Sequence, residues 1–318
     1  MDRLKIRSPS QRALALSLCG VVALSAACSD DGAVVAPADA AIAADTPMTT
    51  DVPHATDVPH ATDASGHGDA AAPSCAMGDT VYRPTGAHWD YMDPSEWAMA
   101  SPAYAMCTGM NQTPVDLPAM TAAETTPLTF NHYGMQALRL LNNGHTLQVN
   151  VPTTYGGTDP SVSYNGTTYY LLQFHAHTTS EHTIAGTSYP MEFHFVHATN
   201  ATATAQYLVV GVMFNIGAES PVLRTMLAQD PGEECIRERL SDQVELGSLL
   251  PANRSFYHYS PGSLTTPPCT EGLNWFVLSE ALTVGAEQVA EFGRVVHGRN
   301  NRPVQPLSGR MVTRYTAP

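Results

Sequence analysis

The chain has 318 residues, 43% hydrophobic and 14% charged, with a formal net charge of −14. That apolar content is ample for a buried core and excludes a wholly disordered chain. The acidic balance argues against a nucleic-acid partner.

Residues 1–28 join a basic start, with Arg3, Lys5, Arg7 and Arg12, to the apolar run ALALSLCGVVALSAAC. This has the charge and length of a secretory signal and is too short and early for a membrane span. Its end, Ala26–Ala27–Cys28, resembles a bacterial lipoprotein cleavage site, with Ser25 where Leu is usual. Cys28 is then the expected lipidated N-terminus, and the membrane is met only through that anchor; ordinary signal cleavage is the alternative. The expected location is periplasmic or at the cell surface.

Residues 29–74 are Ala, Asp, Pro and Thr with the near-repeat TDVPHATDVPHATD, and they lack both Lys and Arg. So little large apolar surface cannot offset the entropy of ordering, and the segment reads as a flexible tether whose His54, His60 and His67 are solvated.

From residue 75 to 318 the texture changes to short alternating apolar runs broken by Gly, Pro, Asn and Thr: ALRLLNNGHTLQVNV (137–151), TTYYLLQFHAH (167–177), MEFHFVH (191–197), QYLVVGVMFNIG (206–217) and NWFVLSE (274–280). These are strand signatures. Helical patterning is confined to SPVLRTMLA (220–228) and GAEQVAEFGRVV (285–296). The expectation is a mainly β fold: one domain around a large, mostly antiparallel twisted sheet with a few short peripheral helices.

Of six cysteines, Cys19 leaves with the signal and Cys28 is the lipidation candidate. Cys75, Cys107, Cys235 and Cys269 remain in an exported domain where disulfides are expected, and spacing alone leaves all three pairings open.

Five of the thirteen histidines fall within 171–198. Alternation along a strand puts Leu171, Gln173, His175 and His177 on one face and Leu172, Phe174 and Ala176 on the other. It likewise groups Glu192, His194 and Val196 against Phe193, Phe195 and His197. If the two strands are neighbours, His175, His177 and His194 converge. Three neutral imidazoles leave one corner of a tetrahedron free, the arrangement of a catalytic zinc rather than a closed structural one. Metal-bound histidines need an acceptor on the second nitrogen, and Gln173 and Glu192 stand two residues before His175 and His194 on the same faces. His182 and His197 are not demanded by this geometry and read as structural.

The blocks HWDY (88–91), CTGMNQTPVDL (107–117), NNGHTLQV (142–149), QFHAHTTSEHT (173–183), MEFHFVH (191–197), GSLTTPPCTEGLNW (262–275) and NNRPVQPL (300–307) occur in an order that resembles the α-class carbonic anhydrases, bacterial exported members in particular. The resemblance covers residues 76–318. It implies Zn²⁺ on His175, His177 and His194, reversible hydration of CO₂ to bicarbonate and a proton through attack by zinc-bound hydroxide, and allows a homodimer. It implies that Thr265 orients the nucleophile by donating to Glu181, and that His145 shuttles the proton. Val196, Val209, Leu264, Trp275 and Thr266 match the family's substrate pocket; Tyr91, Asn143 and Gln148 match positions that order water. It also implies a Cys107–Cys269 disulfide bracing the Thr265 loop, which leaves Cys75 and Cys235 to clip the N-terminal edge to a loop.

Two departures stand out. YSPG (259–262) is one residue longer than the family's usual spacing, which predicts that Tyr259 is displaced. Thr178 and Thr179 follow HAH where many animal members have Trp-Gly. Both bear on rate more than on reaction type. Two other readings belong to different classes: a metal-free interaction domain of the same fold, and a zinc scavenger using the tether histidines, separable by zinc stoichiometry.

Overall fold

Alternating Val, Leu, Phe and Tyr runs favour extended chain, and in the computed structural model they pair into a thirteen-stranded sheet. The structure describes residues 75, 79–82, 86–233, 235–237 and 243–318. The expected signal segment, Cys28 and the tether lie outside the described residues.

The elements that position the site are β1 (Arg139–Asn142), β2 (Leu147–Asn150), β3 (Thr167–His177), β4 (Met191–Ala198), β5 (Tyr207–Ile216), α1 (Pro221–Ala228), β6 (Phe256–Ser263), β7 (Glu271–Val284), α2 (Ala286–Val295) and β8 (Thr313–Tyr315). Across the sheet the order is β1-β2-β3-β4-β5-β7-β6-β8. Neighbours in this order are antiparallel except β5 and β7, which run parallel from Leu208↔Asn274 to Ile216↔Val284. The sheet is therefore mixed. A parallel pair needs a long crossover, and residues 217–270, which carry α1 and β6, supply it.

One face of the sheet builds the larger core: Phe174, Phe193, Phe195, Val210, Phe214 and Phe276 pack with Val222, Leu223 and Met226 of α1 and Phe292 of α2. Ser220 caps α1 by accepting from Leu223 N. Gln288 accepts from the backbone of Ser220 and Gly285 and donates to Ser220 O, joining the starts of the two helices. The other face carries a second core of Val196, Val209, Tyr259, Leu264 and Trp275, and beside it the histidines.

The alternation holds along β3 only as far back as Gln173. Val196 faces Gln173 while His197 faces Leu171, so Leu172 is an extra residue, a bulge that reverses the parity. Leu171 accordingly packs in the larger core with Phe174 and Ala176, not with the histidine face.

Disulfides join Cys107 to Cys269 and Cys75 to Cys235, the latter resolving a pairing that spacing left open. Among the described residues, no helix is long and apolar enough to cross a membrane.

Candidate metal centre

β3 and β4 lie side by side with His175 opposite His194 and His177 opposite Glu192. Same-face residues then crowd together: the rings of His175, His177 and His194 have centroids 4.5–5.4 Å apart. One nitrogen from each comes within 4.8 Å of the others, and all three residues are buried.

The opposite nitrogen of each ring meets an acceptor. His175 Nδ1 donates to Gln173 Oε1 (2.8 Å), His177 Nδ1 to the Asn300 carbonyl (2.7 Å) and His194 Nε2 to Glu192 Oε1 (2.9 Å). A carbonyl or carboxylate oxygen can only accept, so these bonds place the ring protons on the outside and leave Nε2, Nε2 and Nδ1 as lone pairs facing inward. Burial is the main cause that lowers the pKa of all three, that of His177 to about 4, so the rings are neutral. His177 Nε2 is buried with no hydrogen-bond partner. An orphaned imidazole lone pair in a ring of three is what a borderline-soft divalent ion such as zinc satisfies, and the donor set fits it.

Glu192 holds this arrangement from behind. Its Oε2 accepts from Glu181 N and His182 N, both at 2.9 Å, and its Oε1 from His182 Nδ1 and His194 Nε2. Burial alone would raise its pKa, but His182 and His194 hold it well below the usual carboxylate range. Room for this carboxylate comes from Gly211, opposite His194 on β5, where a Cβ would stand 2.7 Å from Glu192 Oε1.

Glu181 is fully buried, and burial pushes its carboxyl up to about 7 against the opposing pull of His194, the Arg302 N–H and the Thr265 hydroxyl. Its Oε1 accepts from Arg302 N at 2.8 Å, and its Oε2 sits 3.5 Å from His177 Nε2 and 3.7 Å from His194 Nδ1. A divalent cation among the imidazoles would favour the carboxylate form in turn.

Val196 pairs with Val209 across β4 and β5, and Val209 with Trp275 across β5 and β7. With Leu264 they form an apolar wall, and the Trp275 ring lies 4.9 Å from that of His194. Thr266, Gln148, Asn143, Tyr91 and His145 line a narrow recess of about 10 Å³ together with His175 and His177. His145 lies in the turn before β2 and stacks on Trp89 at 3.8 Å. Asn143 Oδ1 accepts from His145 N and Thr146 N, and Gln148 donates to Asn150, so both are also committed to local structure.

Tyr259 keeps its buried place despite the longer YSPG spacing. Tyr259 pairs with Trp275 and Gly262 with Leu273, three residues against two, so the extra residue is absorbed as a bulge at exposed Ser260 and Pro261. The Tyr259 hydroxyl stays 2.7 Å from His182 Nε2 and 3.2 Å from Thr113 Oγ1.

Sequence reasoning missed several contributors. Asn300 acts through its carbonyl, which no residue type advertises, and its side chain ties the Ala176 and His145 carbonyls. The buried Arg302 bonds Gln112, Thr113 and Cys107 by its guanidinium while its N–H serves Glu181. Both lie in the block NNRPVQPL, the one available signal. His182, read as structural, links Glu192 to Tyr259. His197 lies on the opposite face, with its ring nitrogens at the Leu208 carbonyl and the Tyr133 hydroxyl.

Residues 92–316 match the family model described as eukaryotic-type carbonic anhydrase. A carbonic anhydrase of Klebsiella pneumoniae is 40% identical over 229 residues, covering 71% of this chain and 90% of that protein, and one of Neisseria gonorrhoeae is 38% identical over 71% and 87%. Among solved structures, the α-carbonic anhydrase of Thermovibrio ammonificans, in complex with sulfanilamide, superposes with a TM-score of 0.65 at 39% identity, over 72% of this chain and all of that one. With a three-imidazole centre inside the matched region, the chain belongs to the eukaryotic-type, or alpha, carbonic anhydrase family.

Proposed function

We propose that this centre performs its family's zinc-dependent, reversible hydration of carbon dioxide, with His175, His177 and His194 as the ligands and Thr265, Glu181 and His145 as the working side chains. The observation that carries it is the convergence of three imidazole lone pairs, each fixed from behind by an acceptor. When bound, zinc supplies the positive charge that lowers the pKa of water to about 7.

Everything else is done by the chain. Thr265 donates its proton to Glu181, so its oxygen is left to accept from the attacking oxygen and to aim a lone pair at carbon. Val196, Val209, Leu264 and Trp275 offer carbon dioxide an apolar resting place beside the ligands. Tyr91, Asn143, Gln148 and Thr266 present polar groups along the way to His145, which takes up the product proton and passes it on.

The two disulfides support folding in an oxidising compartment, in keeping with residues 1–28 as an export signal, 29–74 as a tether and 75–318 as the catalytic domain. Cys28 is the proposed lipid anchor.

The test is stopped-flow hydration of carbon dioxide by the protein as isolated, after chelation and after zinc is restored, with His194→Ala alongside. Activity that disappears on chelation, returns with zinc and is absent from the variant supports the reading. A protein that holds one zinc per chain yet hydrates no faster than buffer overturns it.

A further inference from the structure

His145 separates two spaces. It lines the narrow recess shared with His175 and His177, and it also lines an outer cavity of about 620 Å³. Trp89, Tyr91 and Asn143 share that boundary. A proton collected at His145 therefore emerges into the outer cavity, whose own chemistry decides where it goes next.

The chargeable groups around this cavity come from three segments. His88, Asp90 and the phenols of Tyr82, Tyr91 and Tyr104 belong to the N-terminal stretch; Glu233 comes from the loop before Cys235; His297 and Arg299 follow α2. Two carboxylates against one guanidinium leave the cavity net acidic when its histidines are neutral, a field that favours an arriving proton. Glu233 and His297 are paired, with His297 Nε2 3.0 Å from Glu233 Oε2. The carboxylate can only accept, so Nε2 carries the hydrogen and Nδ1 is the basic nitrogen. Glu233 also stands beside the His145 turn: a Cβ on Gly144 would lie 3.5 Å from Glu233 Oε1. At the other end, the side chains of His297 and Glu233 are 65% and 54% exposed, open to buffer.

We infer that the His297–Glu233 pair is the second station of the proton exit, taking the proton from His145 through water in the outer cavity and releasing it to buffer bases. This rests on the proposed role of His145 as the shuttle. The imidazolium N–H of His145 breaks, cavity water relays the proton, and an N–H forms at His297 Nδ1, giving an imidazolium beside the Glu233 carboxylate; a buffer base then removes it. Burial, and then His88, lower the pKa of His145 to about 4, against the pull of Asp90 and Glu233, so a proton there passes readily into the outer cavity. The exposed pair stands where that proton meets buffer.

The test is stopped-flow hydration with zinc-loaded wild type, His145→Ala, Glu233→Gln/His297→Gln, and the triple variant, each in dilute and in concentrated imidazole buffer. In dilute buffer the double variant should lose roughly 3- to 10-fold in kcat, less than the ~10²- to 10⁴-fold of a general acid–base group at the reacting atoms because cavity water and buffer still carry part of the proton flux, with kcat/KM unchanged and kcat restored by imidazole. Because the stations act in series, the triple variant should fall no lower than His145→Ala. A structural role for the pair would instead lower kcat/KM or zinc content and would not respond to imidazole, which would refute the inference. Loss in His145→Ala with none in the double variant overturns this inference alone. No loss in His145→Ala overturns the shuttle itself and this inference with it.

Discussion

Replacing Glu192 by Gln changes one atom and should disable a metal ligand that the side chain never shares with the ion. The carboxylate accepts four hydrogen bonds, two from backbone N–H groups and two from imidazoles. A glutamine brings one acceptor and one donor to the same places. With its amide nitrogen toward Glu181 N and His182 N, two buried donors lose their acceptor, at about 1–3 kcal/mol each. With its oxygen there instead, the amide hydrogens face His182 Nδ1 and His194 Nε2, and both rings must present lone pairs. The second arrangement wins, and it moves the His194 proton to Nδ1, the nitrogen that faces the centre. Binding zinc must then expel that proton. The expected loss of affinity is about 10- to 100-fold, or roughly 1.4–2.7 kcal/mol. Competition with a chromophoric chelator measures it, and ¹⁵N shifts of the metal-free variant report the tautomer. A folded Glu192→Gln protein that binds zinc within twofold of wild type, with Nδ1 of His194 unprotonated, would refute the reasoning.

Thr265→Ala should lower kcat/KM by about 10²- to 10³-fold at unchanged zinc content, with Thr265→Ser retaining most activity, because only the hydroxyl relay to Glu181 is removed; loss of zinc in the alanine variant would contradict this. Gly262→Ala puts a Cβ 2.4 Å from Trp275 Cδ1 and 2.9 Å from Thr113 Oγ1, so the bulge that seats Tyr259 must shift. A fall of about 1–3 kcal/mol in unfolding free energy is expected, and a variant as stable as wild type in denaturant titration argues against the packing. His197 is wholly buried, and burial drives its pKa down to about 3, against the pull of the Leu208 and Phe195 backbone. A depressed folded pKa means the unfolded chain binds the proton first, so stability should drop as pH falls below about 6.5, at up to about 1.4 kcal/mol per pH unit until the folded value is reached. In zinc-loaded protein His197→Gln should flatten that slope; equal slopes in wild type and variant would show that other groups govern acid unfolding.

Much of the centre was legible in the residues because strand alternation is a local rule. It grouped His175 with His177 and Gln173, and His194 with Glu192, and it needed only that the two strands be neighbours, which they are. It failed at Leu171, where the bulge at Leu172 reverses the parity and a side chain expected beside the histidines packs in the opposite core. It could not reveal that β5 and β7 run parallel, since direction across a long crossover leaves no trace in either strand's pattern. The longer YSPG spacing predicted a displaced Tyr259; a bulge takes up the extra residue at the surface, where it costs no buried contact.

Which side chains can ligate, accept or donate, and which neighbours along a strand share a face, were determined by the sequence alone. The tertiary structure decided which distant groups complete them. The acceptor for His177 is a backbone carbonyl 123 residues away, the N–H that serves Glu181 lies 121 residues away, and His145 rests on Trp89. Backbone groups are chemically alike at almost every position, so their use depends on where packing brings the chain, and that is a property of the whole fold.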